Sequence, residues 1–151
     1  MNIFQFRRNL REVRDNLKDT ARIVIISSES QDLIVELQTE QLMHGKDSTG
    51  GEIAPSYRNN AYADYKHAKN PLAGHGTPDL RLTGDFHRAI YFDTNKMQPT
   101  SDDPKTPSLE EKYSNNGKNP IFGLNEESLQ KYRPEFKQKL IGEIKAQLSE
   151  E

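Results

Sequence analysis

The chain has 151 residues, of which 32% are apolar and 29% are charged, so it is long enough for one domain but has little apolar material for a core. Its 21 basic and 23 acidic residues nearly cancel, which argues against a dedicated nucleic-acid-binding protein. The absence of cysteine excludes disulfides and thiolate metal sites, and no apolar run is long enough for a membrane span. We therefore expect a single domain over residues 1–151 with long polar loops, whose stability is completed by partners.

The first predicted element is an amphipathic helix over residues 3–18. Apolar residues recur there at steps of three and four, namely Ile3, Phe6, Leu10, Val13 and Leu17. The remaining surface carries four arginines, Arg7, Arg8, Arg11 and Arg14. These arginines either bind phosphate or an acidic neighbour, or form a solvated face that Glu12 and Asp15 partly balance; exposed helices favour the second interpretation.

The second predicted element is one helix over residues 20–43. Residues 22–26 have the composition of a strand, but the helical pattern continues to Leu42. One side of this helix carries Ile23, Ile26, Leu33, Ile34 and Leu37, and the other carries Val24, Val35 and Leu42. A helix that is apolar on two sides lies either inside its own core or between that core and another subunit, and both interpretations remain open.

A polar loop is expected over residues 45–56, with Gly45 ending the preceding helix. Its sequence lacks the glycine–lysine–serine order of a phosphate-binding loop and follows no strand, which excludes a nucleotide site. A short helix is predicted from Asn60 to Lys69, ending before Pro71. Residues 57–69 combine tyrosines with basic residues, which suits either base stacking or, as the balanced charge favours, a protein interface.

The middle of the chain combines turn signals with a predicted strand. Residues 72–78 form a loop. A turn that interrupts regular structure follows at Thr83, Gly84 and Asp85, and the side chain of Thr83 or Asp85 can cap a short helical turn after it. Residues 89–92 then have the composition of a strand. A return strand can begin at Met97, but Pro99 confines it to an edge, so the sheet is expected to have two or three short strands.

The last third of the chain is predicted to be a proline-rich loop followed by a helix. Residues 99–120 form the loop, apart from a short helix from Pro107 to Tyr113 that Ser108 or Thr106 can cap. Residues 125–149 form the C-terminal helix, with Asn125 as N-cap and a kink or break near Arg133 because Pro134 follows. The elements together predict an α+β fold, in which two to three long helices pack with a small antiparallel β-sheet.

No active site is evident in the sequence. The histidines His44, His67, His75 and His87 lack metal-site spacing, and no metal or cofactor is expected. No serine lies in a nucleophile elbow, and the paired acids Glu110–Glu111 and Glu126–Glu127 suit solvated helix starts. The sequence therefore contains no positive evidence for an enzyme.

One stretch resembles a known family. Residues 80–86, with Leu80, Leu82, Thr83, Gly84 and Phe86, resemble the leucine–threonine–glycine signature of phage virion-morphogenesis proteins, the tail-completion and head–tail-joining family. Further segments fit in the same order: 39–42, 45–50, 65–66, 102–106, 109–113 and 121–124. The resemblance covers roughly residues 20–150, and it departs from the family pattern after residue 92, where a fuller hairpin is usual.

The resemblance implies a structural virion protein that forms a homo-oligomeric ring as a head–tail connector, tail-completion or neck component. It would be made in the cytoplasm of a bacterial host and would contact itself, portal or other connector proteins, and tail proteins, without a membrane or a small-molecule substrate. We expect interface residues at Val24, Val35, Leu42, Tyr57, Tyr62, Tyr65, Leu109 and Tyr113. Passing genomic DNA would face Arg7, Arg8, Arg11 and Arg14. The alternative is a nucleic-acid-binding accessory protein that uses residues 57–69.

Overall fold

The protein has an α+β fold in which helices predominate. A computed structural model describes residues 2–149, so Met1, Glu150 and Glu151 of the expected domain lie outside the described residues. Within that range the elements are α1 Ile3–Asp15, α2 Leu17–Ile26, α3 Ser28–Met43, α4 Asn60–Lys69, α5 Asp85–Arg88, β1 Ile90–Asp93, β2 Gln98–Ser101, α6 Thr106–Tyr113 and α7 Glu126–Ser149, with a 3₁₀ turn at Pro71–Ala73. The predicted fold class is confirmed.

The N-terminal part forms three helices, so the two predicted helices over residues 3–18 and 20–43 have wrong boundaries. One break lies at Asn16, and the other lies at Ser27, whose backbone is extended with ψ 146°. The Ser27 hydroxyl donates to the carbonyl of Val24 at 2.7 Å, a side-chain bond that competes with helix continuation. Within α2, Ile23 is exposed and Val24 is buried.

The long helix α7 runs antiparallel to α3 and α2. Along α7, Lys131 binds Glu40 at 2.8 Å, Lys139 binds Glu29 at 2.6 Å, and Gln147 donates to Thr20 at 3.1 Å. Residues later in α7 therefore bind residues earlier in α3 and α2, as antiparallel helices do. The terminal part of α7 also packs against α1, so helices from both ends of the chain form one layer.

The two ends of the predicted C-terminal helix are confirmed, and of the kink or break expected near Arg133 the break does not occur. Asn125 accepts a hydrogen bond from the Ser128 amide at 3.0 Å, as an N-cap does. The helix continues through Pro134 to Ser149. Tyr132 precedes this proline and Phe136 follows it, and both side chains pack in a core cluster with residues of α3. The parts of α7 before and after Pro134 are therefore both held against α3.

The sheet is the expected pair of short antiparallel strands. Ile90 pairs with Ser101 and Phe92 pairs with Pro99, so the proline lies in an edge strand. Ile90 and Phe92 are buried and Tyr91 between them is exposed, which is the alternation of a sheet with one covered face. That face packs against α3.

The core consists of two clusters on either side of α3. The first contains Leu42, Ile53, Leu80, Phe86, Ile90, Tyr113, Ile121 and Phe122, and the second contains Ile34, Leu37, Phe92 and Tyr132. Buried Gln38 and Gln41 of α3 hold the irregular segment 121–125 between these clusters. Gln38 accepts from the Gly123 amide at 2.8 Å, and Gln41 accepts from the Asn125 amide at 2.8 Å and donates to the Gly123 carbonyl at 2.9 Å.

The short helices follow their local signals with one exception. Helix α4 has the predicted bounds and begins after Asn59, which accepts from the Tyr62 amide at 2.9 Å. Helix α6 also forms, but neither predicted residue caps it. Thr106 instead donates its hydroxyl to the Ser101 carbonyl at 3.2 Å, and Lys105 occupies the N-cap position without a side-chain bond.

Candidate assembly surfaces

A cleft on the surface contains four of the eight predicted interface residues, Tyr57, Tyr62, Leu109 and Tyr113. It lies between α4, α6 and residues 80–86, has a volume of about 170 Å³, and is lined by Tyr57, Tyr62, Leu82, Phe86, Leu109 and Tyr113 among others. We call it the tyrosine cleft. Residues from three distant segments, including the signature around Gly84, therefore meet at one place.

Three tyrosine rings in and beside the tyrosine cleft lie in contact with one another. The rings of Tyr57 and Tyr62 meet edge to face at 4.9 Å, and that of Tyr65 follows 6.2 Å from Tyr62. Burial, together with the nearby charge of Asp79, raises the pKa values of the Tyr57 and Tyr62 hydroxyls. Both therefore remain neutral phenols at physiological pH, able to donate hydrogen bonds to a partner.

A buried ion pair between Lys66 and Asp79 adjoins the tyrosine cleft, which Lys66 lines. The Nζ atom of Lys66 lies 2.6 Å from an Asp79 carboxylate oxygen, and both side chains are buried. The same carboxylate accepts hydrogen bonds from Asn70 at 3.0 Å and from the Arg81 amide at 2.9 Å. Burial alone would raise the pKa of Asp79, but these hydrogen bonds and the Lys66 charge outweigh it and lower the pKa. This pair fixes α4 to the loop that carries the signature.

The signature divides into core and surface residues. Leu80 and Phe86 belong to the first core cluster, whereas Leu82 is 68% exposed at the rim of the tyrosine cleft. Leu80 has φ 56° and Gly84 has φ 91°, both in the left-handed region. Leucine is disfavoured there, so the surrounding contacts must hold Leu80 in place, and these contacts include the amide bond from Arg81 to Asp79.

Buried His87 lies beside the ion pair. Its Nε2 atom is 2.7 Å from the Asp79 carbonyl oxygen and therefore carries the proton. Its Nδ1 atom is buried without a hydrogen-bond partner among residues 2–149. Burial lowers the pKa of His87, because a second proton would place a charge in a site that offers Nδ1 no acceptor.

This geometry predicts a pH dependence of stability. The unfolded imidazole, with its ordinary pKa of about 6.5, binds a proton more tightly than the folded one, so the free energy of unfolding falls as pH drops below that value. We expect His87→Gln to reduce this slope in urea unfolding between pH 7.5 and 5. The exposed His67 provides the control, since His67→Gln should leave the slope as in the wild type. An unchanged slope in His87→Gln would contradict the assignment.

The surface of α1 carries apolar residues that neither core cluster uses. Val13 is the buried residue of this helix, whereas Ile3, Phe4, Phe6 and Leu10 are exposed, as is Leu17 at the start of α2. Phe4 is 77% exposed and lies off the predicted apolar stripe, among the arginines, so the sequence pattern did not single it out. The four predicted arginines are all exposed: Arg8 lies 4.0 Å from Glu12 and Arg14 pairs with Asp15. Arg7 and Arg11 have no carboxylate within 4.0 Å among residues 2–149.

Three residues of the predicted interface set are buried within the single chain. Val24 is 3% exposed, Leu42 is fully buried, and Tyr113 is 7% exposed, so these side chains serve the chain's own packing. The predicted helix over residues 20–43 was apolar on two sides, which fits either its own core or a contact with another subunit. Within the chain, β1, α7 and the segment 121–125 cover both apolar sides of α3. Val35, Tyr57 and Leu109 are partly buried, and Tyr62 and Tyr65 are exposed.

Other kinds of site find little support in the described chain. Nowhere in residues 2–149 do three or more His, Asp or Glu side chains converge as a metal ion would require. Of the helices in the same range, none has the length and apolar character needed to cross a bilayer. Comparisons of the chain with models of protein families, with curated proteins and with solved structures find no match.

Proposed function

We propose that the protein is a structural component of a tailed phage particle. It would assemble as a homo-oligomeric ring at the head–tail junction, as a connector, tail-completion or neck component, and contact portal and tail proteins. The observation that carries this proposal is the surface of α1, which presents apolar side chains and unpaired arginines outside both core clusters. Contiguous exposed apolar surface is typical of protein–protein interaction sites.

The tyrosine cleft supports the same function as a second surface. Tyrosine is enriched at protein interfaces, and this cleft combines tyrosines with the signature that resembles the virion-morphogenesis family. A closed ring needs two different complementary patches on each subunit, because its contacts are head to tail. The proposal assigns the chain no catalytic activity, cofactor or small-molecule substrate.

Native mass spectrometry tests the proposed function. The purified protein is measured alone and mixed with portal and tail proteins encoded by the same phage genome. We expect a closed oligomer of one fixed copy number, formed either alone or on a virion partner. A protein that stays monomeric with every virion partner would refute the assembly function.

The second candidate function is nucleic-acid binding by residues 57–69. Its support is the exposed Tyr65 ring, with the Lys69 Nζ atom 5.8 Å from the ring centroid, since exposed aromatic rings beside cations can stack on bases. The net charge of −2 weighs against it. Filter binding with single- and double-stranded DNA separates the candidates, because this alternative requires an affinity that falls steeply with salt and is lost in Tyr65→Ala.

A further inference from the structure

A groove between α3 and α7 is apolar at its floor and acidic at its rim. It has a volume of about 370 Å³, and Leu33, Tyr132 and Phe136 form the floor. The rings of Tyr132 and Phe136 are stacked with centroids 5.9 Å apart. Glu29 and Glu135 line the rim, where Lys139 is the basic residue and is paired with Glu29. We call this the α3–α7 groove.

The exposed side of α3 extends this acidic character beyond the groove. Glu29, Asp32, Glu36 and Glu40 follow one another at steps of three and four residues, so they form one stripe along the helix. The outer two are neutralised by Lys139 and Lys131 of α7. Asp32, Glu36 and Glu135 have no cation within 4.0 Å among residues 2–149. Unpaired negative charge therefore lies at Glu135 on the rim and on the exposed stripe of α3.

The outer face of α1 has the complementary composition. Arg7, Arg8 and Arg11 follow Phe4 by three, four and seven residues, which places these side chains on one face of the helix. Phe4 is thus an exposed aromatic ring between arginines, two of which lack an acidic partner. Burying one such ring removes about 150–250 Å² of surface from water. The chain's own α1 leaves the α3–α7 groove open, since Phe4 is exposed.

We propose that Phe4 of one copy inserts into the α3–α7 groove of a second copy, with Arg7 and Arg11 of the first facing Asp32 and Glu36 of the second. The contact joins two different surfaces of the same chain, so it is head to tail and generates a ring when its rotation closes. It rests on the proposed ring function and names the contact between its subunits. The opposite charges fix the register of α1 against α3, and the buried ring supplies affinity.

A charge-swap experiment tests this contact in the full chain. The first variant carries Arg7→Glu and Arg11→Glu, and the second carries Asp32→Arg and Glu36→Arg. Each variant alone places like charges opposite one another, so we expect its apparent dissociation constant to rise by about tenfold or more. A third variant carries all four substitutions in one chain and should restore assembly for any copy number, because the acidic α1 of each copy then faces the basic stripe on α3 of the next.

Matched variants separate loss of the contact from loss of folding or of net charge. Lys96→Glu with Lys118→Glu changes two exposed basic residues that neither belong to α1 nor line the α3–α7 groove, and this variant should assemble like the wild type. Far-ultraviolet circular dichroism and thermal unfolding confirm that all variants are folded. Phe4→Ala should weaken assembly without lowering the unfolding temperature, since its ring contacts no core cluster.

The possible outcomes distinguish the α3–α7 groove of a second copy from other binding partners of α1. Normal assembly by the Asp32→Arg/Glu36→Arg variant would overturn the contact, because α1 would then bind another surface, and the proposed ring function would still stand. A folded chain that carries all four substitutions and fails to assemble would also overturn it. A wild type that never assembles, combined with salt-dependent DNA binding that disappears in Arg7→Glu/Arg11→Glu, would overturn both proposals and assign α1 to DNA.

Discussion

Asp79→Ala is expected to lower the free energy of unfolding by about 3–5 kcal/mol, the cost of removing one partner from a buried ion pair. The substitution leaves the ammonium group of Lys66 in a site where that residue is 6% exposed. It also removes the acceptor for the Asn70 side chain and the Arg81 amide. Because the Arg81 amide bond helps to hold Leu80 at φ 56°, the substitution should loosen the signature as well.

Urea unfolding at pH 7 measures this effect. Asp64→Ala is the control, since Asp64 is exposed and pairs with His75 at the surface, and it should change stability by no more than about 0.5 kcal/mol. Lys66→Met combined with Asp79→Leu removes both charges and should recover much of the loss. If Asp79→Ala cost less than about 1 kcal/mol, the pair would not organise this part of the fold.

Leu42→Ala is expected to destabilise the protein by about 2–5 kcal/mol, the range for leucine truncation in a packed core. Leu42 is fully buried at the end of α3 and packs in the first core cluster, together with side chains from the loop after α3, the signature and the segment before α7. A cavity there therefore weakens the contacts among three segments that are far apart in sequence.

The matched control for Leu42→Ala is Leu82→Ala, the same substitution at a side chain that is 68% exposed. It should leave the free energy of unfolding within about 0.5 kcal/mol of the wild type. If the tyrosine cleft binds a virion partner, Leu82→Ala should nevertheless weaken that binding. Equal destabilisation by both substitutions in chemical unfolding would show that the assignment of Leu42 to the core and Leu82 to the surface is wrong.

Local signals in the sequence predicted the elements whose ends are set by neighbouring residues. Helix α4 begins after Asn59 and ends before Pro71, and α7 begins after Asn125, as their capping chemistry indicates. The hairpin likewise follows from the strand composition around Ile90 and the restriction imposed by Pro99. Each of these features depends on residues a few positions apart, which is the range that sequence patterns describe.

Features that depend on distant residues were missed. The break at Ser27 interrupts a continuous helical pattern, and packing of α7 on either side of it stabilises two helices where the pattern predicted one. The sequence also did not predict the buried pair of Lys66 and Asp79, because a lysine in a polar helix usually lies at the surface. Nothing near Gln38 in sequence indicates that its amide holds the backbone at Gly123.

The candidate surfaces were predicted in part. Tyr57, Tyr62, Leu109 and Tyr113 were each predicted as interface residues, but the cleft that brings them together depends on how residues 80–86 cross the fold. The arginines of α1 were identified from their spacing, whereas Phe4 was missed because it lies off the apolar stripe. The α3–α7 groove takes its floor from two helices and has no continuous sequence signature.

The antiparallel packing of α7 on α3 also constrains the order of events during synthesis. The Ser30 and Tyr132 hydroxyls, 2.6 Å apart, are separated by 102 positions in the chain, so this layer has a high contact order and closes late. Until α7 leaves the ribosome, Ile34 and Leu37 lack the cover of Tyr132, and the α3–α7 groove does not exist. A nascent chain would therefore present α1 before its α3–α7 groove exists, so the proposed contact between copies would require an acceptor that has completed folding.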